Sequence, residues 1–83
     1  MERRLKIKRI MFLAGRRASN EMEVLLSKVL NNLDLENLDD EGLDRVLNLV
    51  SMNDMELRDI LYGFKEPPEG LKDLVDKIKG VIA

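Results

Sequence analysis

Apolar residues recur three and four positions apart along nearly all of this 83-residue chain, with only four interruptions. That spacing paints one apolar stripe on each successive helix, and a chain this short can bury such stripes only against one another. The fold class it predicts is all-α, a compact five-helix bundle. It forms a single domain over residues 1–83, with a basic N-terminal helix at about 3–14 and a core bundle at about 20–82. Composition points the same way. Fifteen leucines stand against eleven valines and isoleucines together, and threonine is absent, a balance that favours helix over strand.

The interruptions carry helix punctuation. Gly15 closes the first helix, as a residue suited to the left-handed conformation beyond a helix end. Met22, Leu25, Leu26, Val29, Leu30 and Leu33 form the next stripe, with Ser19 or Asn20 as its cap and Asn20 and Glu23 at capping-box spacing. Asp39 caps the third helix, Asp40 and Glu41 sit at its positive end, and Leu38 and Leu43 occupy the staple positions. Leu43, Val46, Leu47 and Val50 make its apolar face. Asn53, with Glu56 three positions on and Met52 and Leu57 as a second staple, starts a short fourth helix that buries Leu57, Ile60 and Leu61 and stops at Gly63. After the stiff Pro67-Pro68 turn, Leu71, Leu74, Val75, Ile78 and Ile82 line the last helix.

The chain has neither cysteine nor histidine. Disulfides, thiol chemistry, imidazole acid–base catalysis and the usual zinc ligands fall away together. Three serines, one tyrosine, lysines and carboxylates remain, a poor toolkit from which no enzyme is read. The acidic run Asp34 to Glu41 lacks the oxygen spacing and central glycine of a calcium loop, and helix capping accounts for Asp39 to Glu41. No glycine-rich phosphate loop is present, and no stretch is long and apolar enough to span a bilayer. The methionines are expected in core or staple packing, and Tyr62 and Phe64 in the core, with a small exposed anchor as the alternative for the two aromatic residues.

Charge is divided unevenly. Residues 1–17 hold seven cations and one acid, while the other residues hold seven cations and fifteen acids, so a net charge of −2 conceals a basic arm on an acidic body. Such an arm can contact nucleic acid, a membrane or a protein partner, or it can simply pair with acidic neighbours within the fold. An organelle-targeting role is disfavoured, because the segment has no small-residue cleavage pattern and few hydroxyls. Its end is the most informative stretch, Arg16-Arg17-Ala18-Ser19-Asn20-Glu21-Met22-Glu23. Two forked cations are followed by a small residue that lets another backbone approach, and then by an acid four positions after Arg17. Two readings stay open: an intramolecular Arg17–Glu21 pair at the helix junction, or a docking surface.

Here the chain resembles the SdhE family of succinate dehydrogenase flavinylation factors. Arg17-Ala18-Ser19-Asn20-Glu21 is similar to the family's Arg-Gly-x-x-Glu motif, and Met22-Glu23-Val24-Leu25-Leu26 to the run that follows it. Leu38-Asp39-Asp40-Glu41 and Asn53-Asp54-Met55-Glu56-Leu57 resemble the starts of the family's third and fourth helices. The resemblance spans roughly residues 8–79. Ala18 replaces the motif glycine, Glu23 the usual aspartate, and Ile60 stands where tryptophan is common.

The resemblance implies a small five-helix, non-enzymatic assembly factor. Such a factor binds the flavoprotein subunit of succinate dehydrogenase, or of its fumarate reductase relative, and promotes covalent FAD attachment. FAD and the histidine nucleophile would both belong to the partner, leaving this chain with no cofactor or metal of its own. The implied partner-binding residues are Arg16, Arg17, Ala18, Glu21, Met22 and Glu23. The free chain is expected to be a monomer in the bacterial cytoplasm rather than the mitochondrial matrix. An antitoxin-type inhibitory binding protein, a role also ascribed to members of this family, is the first alternative. The second is a nucleic-acid-binding module using the basic segment, although it lacks stacking aromatics.

Overall fold

The computed structural model describes residues 2–17 and 20–82, apart from the side chains of Val81 and Ile82. Five α-helices follow one another: α1 (Arg3–Gly15), α2 (Asn20–Asn32), α3 (Asp40–Val50), α4 (Asp54–Leu61) and α5 (Lys72–Ile82). One 3₁₀ turn, Leu35–Asn37, precedes α3, and no strand occurs among the described residues. The all-α, five-helix expectation is met. The assembled domain measures 33 × 25 × 19 Å.

Each helix contributes its apolar stripe to one core. Ile10 of α1, Leu43 of α3, Leu57 and Ile60 of α4, and Val75 of α5 are wholly shielded from solvent. α1 lies mainly against α3 and also touches α2, while α2 and α4 both pack on α5. α1 buries only Ile10 and Ala14 fully, and polar ties supplement this slender hold. Arg3 pairs with Asp40 at 3.4 Å and Lys6 with Asp44 at 3.0 Å, both acids lying on α3. Part of the basic arm is therefore neutralised by the acidic body, in keeping with the intramolecular reading of its charge.

Local signals placed most helix ends correctly. The Asp39 carboxylate accepts the Gly42 N–H at 2.7 Å, and the Asn53 side-chain oxygen accepts the Glu56 N–H at 2.8 Å. Both satisfy donors that the first turn leaves without partners. At the far end of α4, Gly63 has φ +83°, its N–H donates to Ile60 O at 3.2 Å, and the Phe64 N–H donates to Asp59 O at 2.8 Å. That double return bond requires a left-handed residue at position 63.

Other expectations need correction. Gly15 is the last helical residue of α1 and has no positive φ; Arg16 makes the exit with φ −102° and ψ 73°. With the exit made by Arg16 at negative φ, no left-handed residue is needed at Gly15. Asn20 is the first helical residue of α2 rather than its cap, and the alternative cap, Ser19, lies outside the described residues. Leu49 joins the buried face of α3 while Leu47 is only half-buried. Leu35 within the acidic run is buried as well, and it pins the 3₁₀ turn to the core. Tyr62 and Phe64 are not core residues. Phe64 is 81% exposed, and Met11 and Met55 also face outward, whereas Met22 is buried and Met52 half-buried. Having placed Leu57, Ile60 and Leu61 inward, α4 must turn Met55 and Tyr62 the other way.

These backbones predict opposite effects for two glycine substitutions. Gly15→Ala should raise stability by up to about 1 kcal/mol, because helical alanine is favoured over glycine and a Cβ there meets nothing within 4 Å. Gly63→Ala should lower it by about 1 kcal/mol, through left-handed strain alone. Urea unfolding of both variants checks this; a destabilising Gly15→Ala would contradict the helical assignment of that residue.

Candidate functional site

The segment from Arg16 to Glu23 joins α1 to α2, and tertiary contacts split its side chains between two jobs. Arg17 points inward. One guanidinium nitrogen, Nη1, donates to Met52 O at 2.6 Å and pairs with Asp54 Oδ1 at 3.2 Å, while Nη2 donates to Val50 O. Val50 ends α3, where carbonyls lack helical partners and the helix dipole favours a cation; Asp54 opens α4. The Arg17 side chain is 5% exposed and that of Asp54 is 23% exposed. A single cation thus bridges the end of one helix and the start of the next. The Arg17 Nε is buried with no hydrogen-bond partner among the described residues.

Arg17 therefore does not form the expected pair with Glu21, which reaches elsewhere. The Glu21 carboxylate accepts the Tyr62 hydroxyl at 2.8 Å, tying the first turn of α2 to the end of α4. This bond, and then the negative charge of Glu21, hold the Tyr62 phenol above its ordinary pKa. Met22 faces the core and offers no side chain to a partner. Arg16 and Glu23 are exposed. The Arg16 guanidinium lies 5.6 Å from the centroid of the exposed Phe12 ring, within cation–π reach. Ala18 lies outside the described residues.

Of the six residues singled out from sequence, the structure leaves Arg16, Glu21 and Glu23 at the surface and turns Arg17 and Met22 inward. Leu13 and Arg16 face Ser51 and Asn53 across a shallow open groove. Two participants escaped the sequence reading. Asp54 was hidden behind its neighbour's role as a cap. Tyr62 was assigned to the core, although its spacing of four and seven from Arg58 and Met55 gives these exposed residues one shared outer face. Chemically the arrangement offers a surface with a forked cation, two carboxylates and a phenol. Among the described residues, no group of acids is disposed to hold a metal ion.

Two measurements probe these ties. Arg17→Ala should cost about 3 kcal/mol of stability, because it strands buried carbonyls and a partly buried carboxylate, whereas Arg16→Ala should change it by less than about 0.5 kcal/mol. Chemical denaturation separates the two. Tyr62 is the only tyrosine, so phenolate absorbance reports it alone. Glu21→Gln should lower its pKa toward the ordinary value. Because the folded-state pKa is raised, the stabilisation from this bond is present below the ordinary tyrosine range and is lost as pH rises through the folded value. An unchanged Tyr62 titration in Glu21→Gln would show that the two helices are not joined this way.

With this geometry in place, comparison with known proteins is informative. Residues 8–82 match the family described as flavinator of succinate dehydrogenase. No curated protein and no solved structure matches the chain. Among the described residues, no helix is long and apolar enough to cross a membrane. The match runs from the second turn of α1 through α5 and contains the whole Arg16–Glu23 segment, so the chain belongs to the family of succinate dehydrogenase flavinators.

Proposed function

We propose that this protein is a non-enzymatic assembly factor that binds the flavoprotein subunit of succinate dehydrogenase, or of fumarate reductase, and promotes covalent attachment of FAD to it. The observation that carries this reading is the family match across the bundle. The division of labour in the Arg16–Glu23 segment supports it. Arg17 and Met22 are committed to the interior, and Arg16, Glu21 and Glu23 beside them are exposed. A surface held in place before docking loses little conformational freedom when a partner arrives.

Arg16 supplies a planar, forked donor for a carboxylate of the partner, and the Phe12 ring orients it. Glu21 and Glu23 supply acceptors, with Tyr62 as an amphipathic neighbour of the kind enriched in interface centres. The flavin and the residue that becomes bonded to it both lie on the partner. This chain has no histidine to act as nucleophile, and its contribution is to hold the partner's reacting groups in a productive arrangement. It carries no cofactor of its own in this mechanism.

Binding to purified apo-flavoprotein, read together with melts, tests the assignment. Arg16→Glu should weaken binding at least about tenfold, the scale of an interfacial arginine, with an unchanged melt. Arg17→Ala should weaken binding only in step with its loss of stability. At position 18, Ala18→Gly should keep binding, whereas Ala18→Arg should abolish it by obstructing the partner's approach. In-gel flavin fluorescence of the captured subunit after denaturation reports covalent attachment. If Ala18→Arg and Arg16→Glu both bind and support attachment like the parent, this segment is not the docking surface.

A further inference from the structure

The seven cations of the N-terminal segment are not equivalent in the folded chain. Arg3 donates to Glu36 O at 2.9 Å and pairs with Asp40, Lys6 pairs with Asp44, and Arg17 is buried at the α3–α4 junction. These three are satisfied by the acidic body. Arg4, Lys8 and Arg9 are exposed and make no ion pair among the described residues, and Arg16 is exposed beyond them. Interleaved with them are three large apolar side chains, Leu5, Met11 and Phe12, each more than half exposed at 52%, 55% and 55%.

At 3.6 residues per turn these positions share one face. Lys8 and Phe12 lie opposite the buried Ile10, Leu5 and Arg9 flank them on one side, and Arg4 and Met11 on the other. No acid occurs anywhere in α1. The result is a convex face about 20 Å long, cationic and apolar at once, on a protein whose net charge is −2.

We propose that this outward face of α1 binds the surface of an anionic lipid bilayer. Charge complementarity selects the occupant's sign, because the acids paired with α1 lie behind it on α3. The apolar side chains select its kind. Phe12, Leu5 and Met11 reach the boundary between headgroups and acyl chains, while Arg4, Lys8 and Arg9 extend their heads back to the lipid phosphates. A nucleic acid would engage the same cations but gains nothing from Leu5 or Met11. A bilayer is broad and deformable, and so accommodates a convex helix without a matching groove. This face shares Phe12 with the surface proposed for the flavoprotein, where the ring orients Arg16, but flavoprotein docking does not draw on Arg4, Lys8 or Arg9.

Flotation of the full chain with phosphatidylcholine vesicles, with and without phosphatidylglycerol, tests the proposal. The chain should float only with the phosphatidylglycerol vesicles and should be released by salt. Each of Arg4→Gln, Lys8→Gln and Arg9→Gln should reduce partitioning about fivefold, Phe12→Ser should reduce it several-fold, and Lys8→Arg should preserve it. All these side chains point outward, so melts should match the parent, and binding to apo-flavoprotein should persist in Lys8→Gln and Arg9→Gln. Three results would overturn the proposal. One is no flotation of the parent at low salt. Another is equal flotation with neutral and anionic vesicles. The third is a parent that ignores vesicles while the glutamine variants lose flavoprotein or DNA binding, which would assign the face to that macromolecule.

Discussion

The buried guanidinium of Arg17 is the contact on which the arrangement of this bundle turns. It joins the exit of α1 to the end of α3 and the start of α4, through Val50 O, Met52 O and Asp54. α1 has little apolar surface in the core, with Ile10 and Ala14 alone fully buried, and its position needs more than packing. Burying a charge is costly unless its donors find partners. Nη1 and Nη2 of Arg17 meet that condition with two backbone carbonyls and a carboxylate, at a helix end where the local dipole already favours a cation, while Nε has no partner among the described residues. A domain this small, with no cysteine to form a stapling disulfide, has few other ways to fix a helix that lies partly outside its core.

The same contact shapes the surface around it. With Arg17 and Met22 drawn inward, the connection between α1 and α2 is held at both ends, and Arg16, Glu21 and Glu23 project from it. Glu21 is then tied to Tyr62, so the segment touches α4 near its start through Arg17 and at its end through Glu21. A motif that looks in sequence like a row of exposed charges is, in three dimensions, an inner clamp with three charged side chains left at the surface. Substitution of its two arginines therefore has different meanings: one change alters the surface, the other the frame that presents it.

Much of this was legible in the chain. The apolar stripes of α2, α4 and α5 follow directly from residue spacing, because burial in a bundle is decided by which side of a helix a residue occupies. The caps at Asp39 and Asn53 and the stop at Gly63 were equally readable, since each involves groups within five residues of one another. Gly15 misled because glycine permits a left-handed exit without requiring it. Tyr62 and Phe64 misled because an aromatic residue near an apolar stripe can extend the core or stand outside it, and only the inward rotation of Leu57, Ile60 and Leu61 decides between them.

By itself, then, the sequence determined the helical class, the number of helices, most of the core and the local caps, because these depend on periodicity and on short-range hydrogen bonding. It also singled out residues 16–23 as the candidate docking segment. Which member of that segment faces inward was decided only by tertiary structure. The partners of Arg17 lie more than thirty residues away, and two of them are backbone carbonyls, which every residue possesses and no side-chain pattern announces. The sorting of the basic arm into paired and free cations has the same origin. Arg3 and Lys6 differ from Arg4 and Lys8 only in angle around the helix, and that angle acquires consequences once α3 brings Asp40 and Asp44 to one side.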